Sequence, residues 1–396
     1  MSGRPRVLVV STTFPCQLGD RQPRFVLDLC KSLASRYEQH VLAPAGRNCS
    51  DSENVEGISV RRFRYFFRPF ESLAYGEGIP GNLKAQPLRW LLLPFFLIGM
   101  VVAIRRELWR FRPDIVHAHW WAPAGLAARL AIATSRRDYK LIITMHGSDF
   151  YGLGRQLPWL MKSVLRAADR VAVVSAAMLA DANDVGVDGD HVAIAPMGVD
   201  LSKLSTAAAS TQRNGALFVG RLLESKGCKV LLRAWANIPP ALQDNRLSIV
   251  GSGTQSTELK ALAAELGIAE QCEFIGAVPH DDLPDYYRRA ALLVFPSTRE
   301  EGLGLVVIEA MACGCPVLVS DVASLSGIVI DGETGFVCPK ADVDALAARL
   351  TELLENPENH RAIGNAAAAA VRQRFGLPSA ASRYRTLYDE LLDKRA

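Results

Sequence analysis

Short runs rich in valine, isoleucine and leucine recur along this chain, each separated from the next by a longer amphipathic stretch. Arg6–Val10, His40–Ala43, Ile115–Ala118, Leu141–Met145 and Arg170–Val174 read as strands. Arg24–Arg36 reads as a helix with Phe25, Leu29, Cys30 and Leu33 on one side. Strands that are apolar throughout, with no polar alternation, have to be covered on both faces. Strands of that kind joined by helices imply an α/β fold, a parallel sheet between helical layers.

The pattern occurs twice. It breaks after Met197-Gly198-Val199-Asp200, and Ser205–Gly215 is small and polar without a period, as suits a linker. The alternation then restarts with strands at Ala216–Val219, Leu247–Val250, Cys272–Ile275, Leu292–Phe295 and Val317–Ser320. Helices are expected between them at Cys228–Trp235, Glu258–Leu266, Leu283–Arg289 and Leu305–Cys313, then at Asp342–Glu355 and Arg361–Phe375. A length of 396 residues suits two domains, expected at 1–204 and 205–377. Ligands of such folds bind at the carboxyl ends of the strands. Two linked halves are therefore expected to turn those ends toward one cleft.

Composition excludes some function classes. An apolar fraction of 49% and a charged fraction of 22% describe a globular chain with large cores, not a disordered one. A net charge of +4 gives no case for a nucleic-acid partner. Arg61, Arg62, Arg64 and Arg68 do cluster with Phe63, Tyr65, Phe66 and Phe67. Trp90–Ile104 is almost wholly apolar, but it is shorter than a spanning helix and ends in Arg105 and Arg106. It reads as a helix packed on a sheet or dipping into a membrane surface. The eight cysteines include no Cys-x-x-Cys pair, and the expectation is free thiols in a reducing compartment, with Cys313 and Cys315 small and buried.

Four stretches carry candidate chemistry. In Phe295–Pro316 a buried strand ends, a loop carries Glu300 and Glu301, and Gly302 and Gly304 let the backbone approach a ligand. A helix then starts near Leu305, with its free N–H groups and dipole aimed back at the loop, which makes a phosphate cradle. Glu309 lies about two turns into that helix, between Ile308 and Ala310, where a carboxylate suits vicinal ribose hydroxyls. The plainer alternative makes Glu301 a helix cap and Glu309 a solvated face. Secondly, Gly220-Arg221 and Lys226-Gly227 follow the first strand of the second half, and two cations there suit a leaving diphosphate. Thirdly, His146 in Thr144–Asp149 stands at the end of a first-half strand, a position that tends to face the cleft, although a lone histidine is more often structural. Fourthly, Thr12–Asp20 joins the first strand to the first helix.

Glu301 and Glu309 match the Glu-x7-Glu motif of the family 4 glycosyltransferases, which have the GT-B fold of two Rossmann-like domains facing a cleft. Gly220-Arg221, Lys226-Gly227, Gly251-Ser252-Gly253, Phe274-Ile275-Gly276, Met311–Val317 and Asp331–Phe336 also resemble that family, most sharply over 216–339. The resemblance implies a retaining hexosyl transfer from a nucleotide-sugar, UDP- or GDP-linked, with no cofactor and no metal. Arg221 and Lys226 would hold the diphosphate, Glu309 the ribose, and Glu301 and His146 the transferred sugar. The backbone at Gly302, Leu303, Gly304 and Leu305 would meet the phosphates, and that near Val278 the base. Gly251 would also lie on the donor side. Gly19, Asp20 and Asp149 are expected on the acceptor side, and a C-terminal helix at about 378–396 is expected to pack back on the first domain.

The sequence departs from the family in three places. Val322–Gly327 stands where paired glycines and Pro-Glu are common, Met197 where asparagine is common, and Gly19-Asp20 where the first loop often has two glycines. An acidic Asp20 disfavours a phosphorylated acceptor group directly against it. Asp188-Gly189-Asp190 has the Asp-x-Asp form of a metal site but sits in a polar turn away from the donor motifs. The acceptor expected from the arginine cluster and Trp90–Ile104 is a lipid-linked glycan, in cell-surface glycan or glycolipid biosynthesis. The protein is then cytoplasmic, with peripheral contact to an anionic membrane at the inner face of the plasma membrane. A small soluble acceptor and a non-catalytic sugar-nucleotide-binding protein are the alternatives. A nicotinamide oxidoreductase is disfavoured because no Gly-x-Gly-x-x-Gly follows the first strand.

Overall fold

The computed structural model describes residues 3–16, 22–46, 49–76, 78–187, 189–206, 212–242, 245–355 and 360–393. The chain divides into two compact units, residues 1–198 with 377–396, and residues 199–376.

The first unit is built on an eight-stranded sheet. Its strands are β1 (Arg6–Val10), β2 (Glu38–Pro44), β3 (Ser52–Val55), β4 (Ile58–Phe63), β5 (Ile115–His119), β6 (Lys140–Met145), β7 (Arg170–Val173) and β8 (Val192–Ile194). They lie in the order β3-β4-β2-β1-β5-β6-β7-β8. Every neighbouring pair is parallel except β3 with β4. That hairpin is absent from the sequence reading. Its turn is Glu56-Gly57, both with positive φ (50° and 89°), as a tight turn between right-twisted strands requires. Among the described residues the α-helices α1 (Phe25–Leu33), α2 (Gly78–Ala85), α3 (Leu93–Arg110), α4 (Leu126–Ala133), α5 (Pro158–Leu165) and α6 (Ala176–Asp184) lie between the strands. The terminal helix, Leu377–Asp393, belongs to this unit and packs on α1. Tyr37 donates to Asp389 at 2.6 Å, and Tyr384, Tyr388 and Leu391 are buried.

The second unit holds β9 (Asn214–Val219), β10 (Leu247–Val250), β11 (Cys272–Gly276), β12 (Ala290–Phe295), β13 (Val317–Ser320) and β14 (Phe336–Cys338). All its strand pairs are parallel, in the order β11-β10-β9-β12-β13-β14. This is the Rossmann order, and it reverses direction between β9 and β12, the switch point at which folds of this kind open a crevice for a ligand. The helices α7 (Cys228–Ala236), α8 (Ser256–Glu265), α9 (Leu283–Arg289), α10 (Leu305–Ala312), α11 (Ala323–Ser326), α12 (Val343–Glu355) and α13 (Arg361–Phe375) complete it. Phe218, Leu231, Trp235, Ile249 and Leu350 lie in one buried cluster. Burying a side chain of that size stabilises the fold by roughly 1.5–3 kcal/mol.

The expectation of free thiols throughout is corrected at one place. Cys16 and Cys49 are bonded, with Cα atoms 5.1 Å apart. They follow the adjacent parallel strands β1 and β2, and that adjacency joins residues 33 apart in sequence. Cys30, Cys228, Cys272, Cys313, Cys315 and Cys338 are free and buried. Burial pushes the Cys313 thiol up to about 12 and Cys315 to about 11, which leaves both unreactive.

Candidate active site

In the second unit the candidate donor residues collect at the carboxyl edge of the sheet. Gly220 and Arg221 follow β9, Gly251 follows β10, Val278 follows β11 and Glu301 follows β12. Parallel strands make this unavoidable, because all of them end on the same side. The edge is closed by backbone contact that only glycine permits. A Cβ at Gly251 (φ 142°) would lie 1.8 Å from the Gly220 carbonyl oxygen. One at Gly227 (φ 71°) would lie 1.8 Å from the Pro296 oxygen. The loops after β9 and β12 are thus held back to back, and the Thr298 N–H donates to Ser225 O at 2.9 Å.

That contact brings the two expected roles together. Lys226 ends a short 3₁₀ turn, and its Nζ lies 2.8 and 2.7 Å from the two carboxylate oxygens of Glu301. Ser297 Oγ donates to Glu301 as well, and the Lys226 ammonium sits 5.1 Å from the centre of the Phe295 ring. The cation and the carboxylate are therefore one unit, three-quarters or more buried, with side-chain exposures of 18% and 12%. Arg221 is exposed. Glu300 is drawn away to Lys340 at 3.2 Å.

Gly304 caps α10 in the left-handed conformation, φ 74°, where a Cβ would meet Leu325 at 2.6 Å. No side chain caps this helix start, so the first amides after Leu303 and Gly304 keep their donor character. Glu309 lies within α10 and is buried, and both its oxygens are engaged. His280 Nε2 is 2.9 Å from Oε1, and the Tyr287 hydroxyl donates to Oε2 at 2.9 Å. Each oxygen retains a second lone pair for a ligand hydroxyl. Burial and the adjacent Glu309 raise the Tyr287 pKa far above its ordinary value, so Tyr287 is a permanent donor.

The first unit carries a second group of polar side chains at the ends of β5 and β6. Tyr384 donates to Ala195 O at 3.0 Å and so receives the Thr144 hydroxyl proton at 3.2 Å. Thr144 in turn accepts from His117 Nε2 at 2.8 Å, leaving Nδ1 to accept from Tyr388 at 2.7 Å. This chain satisfies every member with His117 neutral, and burial lowers its pKa well below the ordinary value. His119 Nδ1 is 2.9 Å from His146 Nε2. Burial holds His119 at about 3 and His146 well below its ordinary value, so both are neutral and one proton lies between them. His119 Nε2 is buried without a partner. Orphaned buried N–H groups are rarer than orphaned acceptors. His119 is accordingly the donor at Nδ1, and His146 keeps its proton on Nδ1, available to a ligand oxygen. Trp120, at a positive φ of 71°, sets its ring 4.7 Å from that of His146. A non-glycine residue in that region stores strain of the kind that gathers at functional sites.

Comparison with known proteins decides the family. Residues 22–203 match the Glycosyltransferase Family 4 profile and residues 205–370 the Glycosyl transferases group 1 profile. A D-inositol 3-phosphate glycosyltransferase of Acidothermus cellulolyticus is 32% identical over 353 residues, covering 80% of this chain and 77% of the relative. One of Streptomyces scabiei is 33% identical over 400 residues, covering 92% and 85%. The chain belongs to the family 4 glycosyltransferases. Its fold is shared with sucrose-phosphate synthase from Thermosynechococcus elongatus, at a TM-score of 0.80 and 23% identity over 99% of this chain and 100% of that one. It is shared also with Anabaena HepE in complex with UDP-glucose, at a TM-score of 0.74 and 19% identity over 97% and 99%. These are GT-B glycosyltransferases.

Within this glycosyltransferase several expectations change. Asp149, expected on the acceptor side, is buried, and its carboxylate binds backbone instead. The N–H groups of His146 and Trp121 donate to its two oxygens at 3.0 Å each, and burial raises its pKa to about 6. It positions the His146 loop. Gly19, Asp20 and Asp188 lie outside the described residues. The arginine cluster is not a free basic patch. Arg62 is buried against Glu53, Arg61 pairs with Glu107, and Arg64 with Asp51 and Glu71. Arg68 pairs with Asp51 at 3.3 Å and stays largely exposed. Conversely, sequence reasoning passes over His119, Trp120, His280 and Tyr287. The signal for the first was the alternation His117-Ala118-His119, which puts two histidines on one face of an otherwise apolar strand. His280 and Tyr287 carry no such signal, since their role exists only through contact with Glu309.

Proposed function

We propose that this glycosyltransferase moves a hexosyl unit from UDP- or GDP-sugar to an acceptor hydroxyl with retention of anomeric configuration and without a metal ion, in the making of a cell-surface glycan or glycolipid. The observation that carries the reading is the Lys226–Glu301 pair at the β9/β12 switch point, beside the uncapped start of α10. In this reading the diphosphate lies over the amides that open α10, with Arg221 and Lys226 as its cations. Glu309 accepts from the ribose hydroxyls, and Glu301 from hydroxyls of the transferred sugar. The main chain near Val278 meets the base, and His146 donates Nδ1–H to a sugar oxygen.

As the bond from the anomeric carbon to the phosphate oxygen breaks, negative charge grows on the diphosphate. Arg221, Lys226 and the helix start are already in place to stabilise it, and such fixed groups contribute several kcal/mol each to lowering a barrier. The acceptor oxygen forms the new bond on the same face and passes its proton to the departing phosphate oxygen. The buried carboxylates bind hydroxyls and are not a nucleophile–acid pair of the glycosidase kind.

The test is a donor panel. Thermal shift with UDP-, GDP- and ADP-sugars identifies the donor, because binding stabilises the native state. Product analysis by NMR then reads the anomeric configuration. Donor binding without transfer or hydrolysis overturns the enzymatic reading in favour of a sugar-nucleotide-binding protein. Inversion overturns retention. Activity abolished by a chelator and restored by magnesium or manganese overturns metal independence.

A further inference from the structure

The helix α3 of the first unit is apolar on two opposite faces, and only one is covered. Phe96, Met100, Ile104 and Leu108 face inward and are buried. Phe96 packs on Phe63 and Tyr65 with ring centroids 5.4 and 4.9 Å apart. Gly99 brings the helix so close to the chain after β4 that a Cβ there would lie 3.0 Å from Arg64 O. The outward face carries Phe95, Ile98 and Val102, at spacings of three and four, with Trp109 two turns further on. The turn before the helix adds Leu88, Trp90 and Leu91. Leu88 is 81% exposed, Leu91 69% and Ile98 60%. Phe66 joins Phe95 to Phe67 and Phe70, so the apolar surface runs on into the next loop. Soluble monomers scatter such residues singly, and a continuous belt marks a contact surface.

We infer that this face docks on an anionic lipid bilayer. Charge selects the partner. Arg105, Arg106 and Arg110 are exposed beside the belt, while Arg68 on the adjoining loop, 73% exposed, is paired with Asp51. The one acid of the helix, Glu107, is turned inward, 2% exposed, and held by Arg61 at 2.7 Å and His40 at 3.3 Å. The outward surface of α3 is thus apolar and purely basic. A second copy meeting it about a twofold axis would set arginine against arginine, whereas anionic headgroups neutralise them. Tryptophans at both ends, Trp90 and Trp109, suit the level of the headgroups. The residues 87–110 are apolar and long enough to cross a membrane, but the inward face and Gly99 hold α3 in the core of the unit. It lies on the bilayer with its amino-terminal end deepest, where Leu88, Leu91, Phe67 and Phe70 gather.

The experiment is flotation of the full chain with phosphatidylcholine vesicles, with and without phosphatidylglycerol. The wild type is expected to float with the anionic vesicles at low salt, less at high salt, and scarcely with the neutral ones. The triple variants Leu88→Gln/Leu91→Gln/Ile98→Gln and Arg105→Ser/Arg106→Ser/Arg110→Ser are each expected to bind at least about tenfold more weakly. Both are expected to keep the wild-type thermal midpoint and UDP binding, because the altered side chains face outward. A wild type that stays unbound at low salt overturns the proposal, as does either variant floating like the wild type. Sedimentation that finds a wild-type dimer, a monomeric apolar variant and no vesicle binding assigns the face to a protein contact instead.

Discussion

Lys226→Met and Glu301→Gln should move donor affinity in opposite directions. In the free protein the ammonium is held by both oxygens of Glu301 at 2.8 and 2.7 Å, and a bound diphosphate has to compete with that carboxylate. If the proposed donor site is right, removing the cation weakens binding of the donor's nucleoside diphosphate, whereas neutralising Glu301 releases the cation and strengthens it. The stability cost follows from partial burial, with exposures of 18% and 12%. Exposed pairs contribute about 0.2–1 kcal/mol, and breaking a fully buried pair costs about 3–5 kcal/mol. Ser297 still donates to Glu301 in Lys226→Met, so a loss of roughly 1–2 kcal/mol is expected, a fall of a few degrees in melting temperature. Turnover should fall about 100-fold or more in Lys226→Met, the scale for losing one fixed donor to a developing charge. It should fall in Glu301→Gln too, despite the tighter nucleoside diphosphate, because the sugar loses its acceptor. Calorimetry with the nucleoside diphosphate measures the affinities, differential scanning the stabilities, and initial rates the turnover. Equal affinity of wild type and Lys226→Met for the nucleoside diphosphate of the donor found in the panel would refute the reasoning. So would near-normal turnover in Glu301→Gln.

Three further outcomes are expected. His119→Phe should leave His146 free to exchange tautomers, lowering turnover and shifting the imidazole nitrogen signals of His146 in NMR; unchanged signals would remove His119 from a positioning role. The fold should lose stability below about pH 6.5. His119 has a folded pKa of about 3, so the unfolded chain takes up a proton between about 6.5 and 3 that the folded chain refuses, and stability present above that window is lost as pH falls through it. His117 and His146 act in the same direction. Asp149, raised to about 6, opposes them, because its folded carboxyl is protonated first and acidification relieves the cost of its burial. Three histidines oppose the one carboxyl, so denaturant titrations should show a net fall in stability from about pH 7.5 to about pH 5.5, and a rise would contradict the histidine network. Gly227→Ala should cost about 2–5 kcal/mol, combining a left-handed alanine with a backbone collision at Pro296, and a near-native melting temperature would show that the loops are not held back to back.

The sequence by itself determined the two parallel-sheet units. The hydrophobic period is a local property, and β1, β9 and β12 announce their burial through the apolar runs Val7–Val10, Ala216–Val219 and Ala290–Phe295. It also carried Glu301 and Glu309, because a short glycine-bearing loop joins the end of β12 directly to α10 and leaves the two carboxylates eight residues apart, and Lys226-Gly227, because only glycine survives that turn. The tertiary structure decided who holds whom. A sequence shows the charges of Arg61, Arg62 and Arg64 but not that they pair with Glu107, Glu53 and Glu71, which offsets those charges and buries Arg62. It shows eight cysteines but not that β1 and β2 lie side by side and bring Cys16 to Cys49. The β3–β4 hairpin stayed hidden because the edge strand β3 has four residues and one buried position, and because Arg61 and Arg62 interrupt the apolar pattern of β4. The α3 helix shows the same division. Its composition marks it as apolar on all sides, but only packing against Phe63 and Tyr65 chooses which face is core, and so which face is left to meet something else.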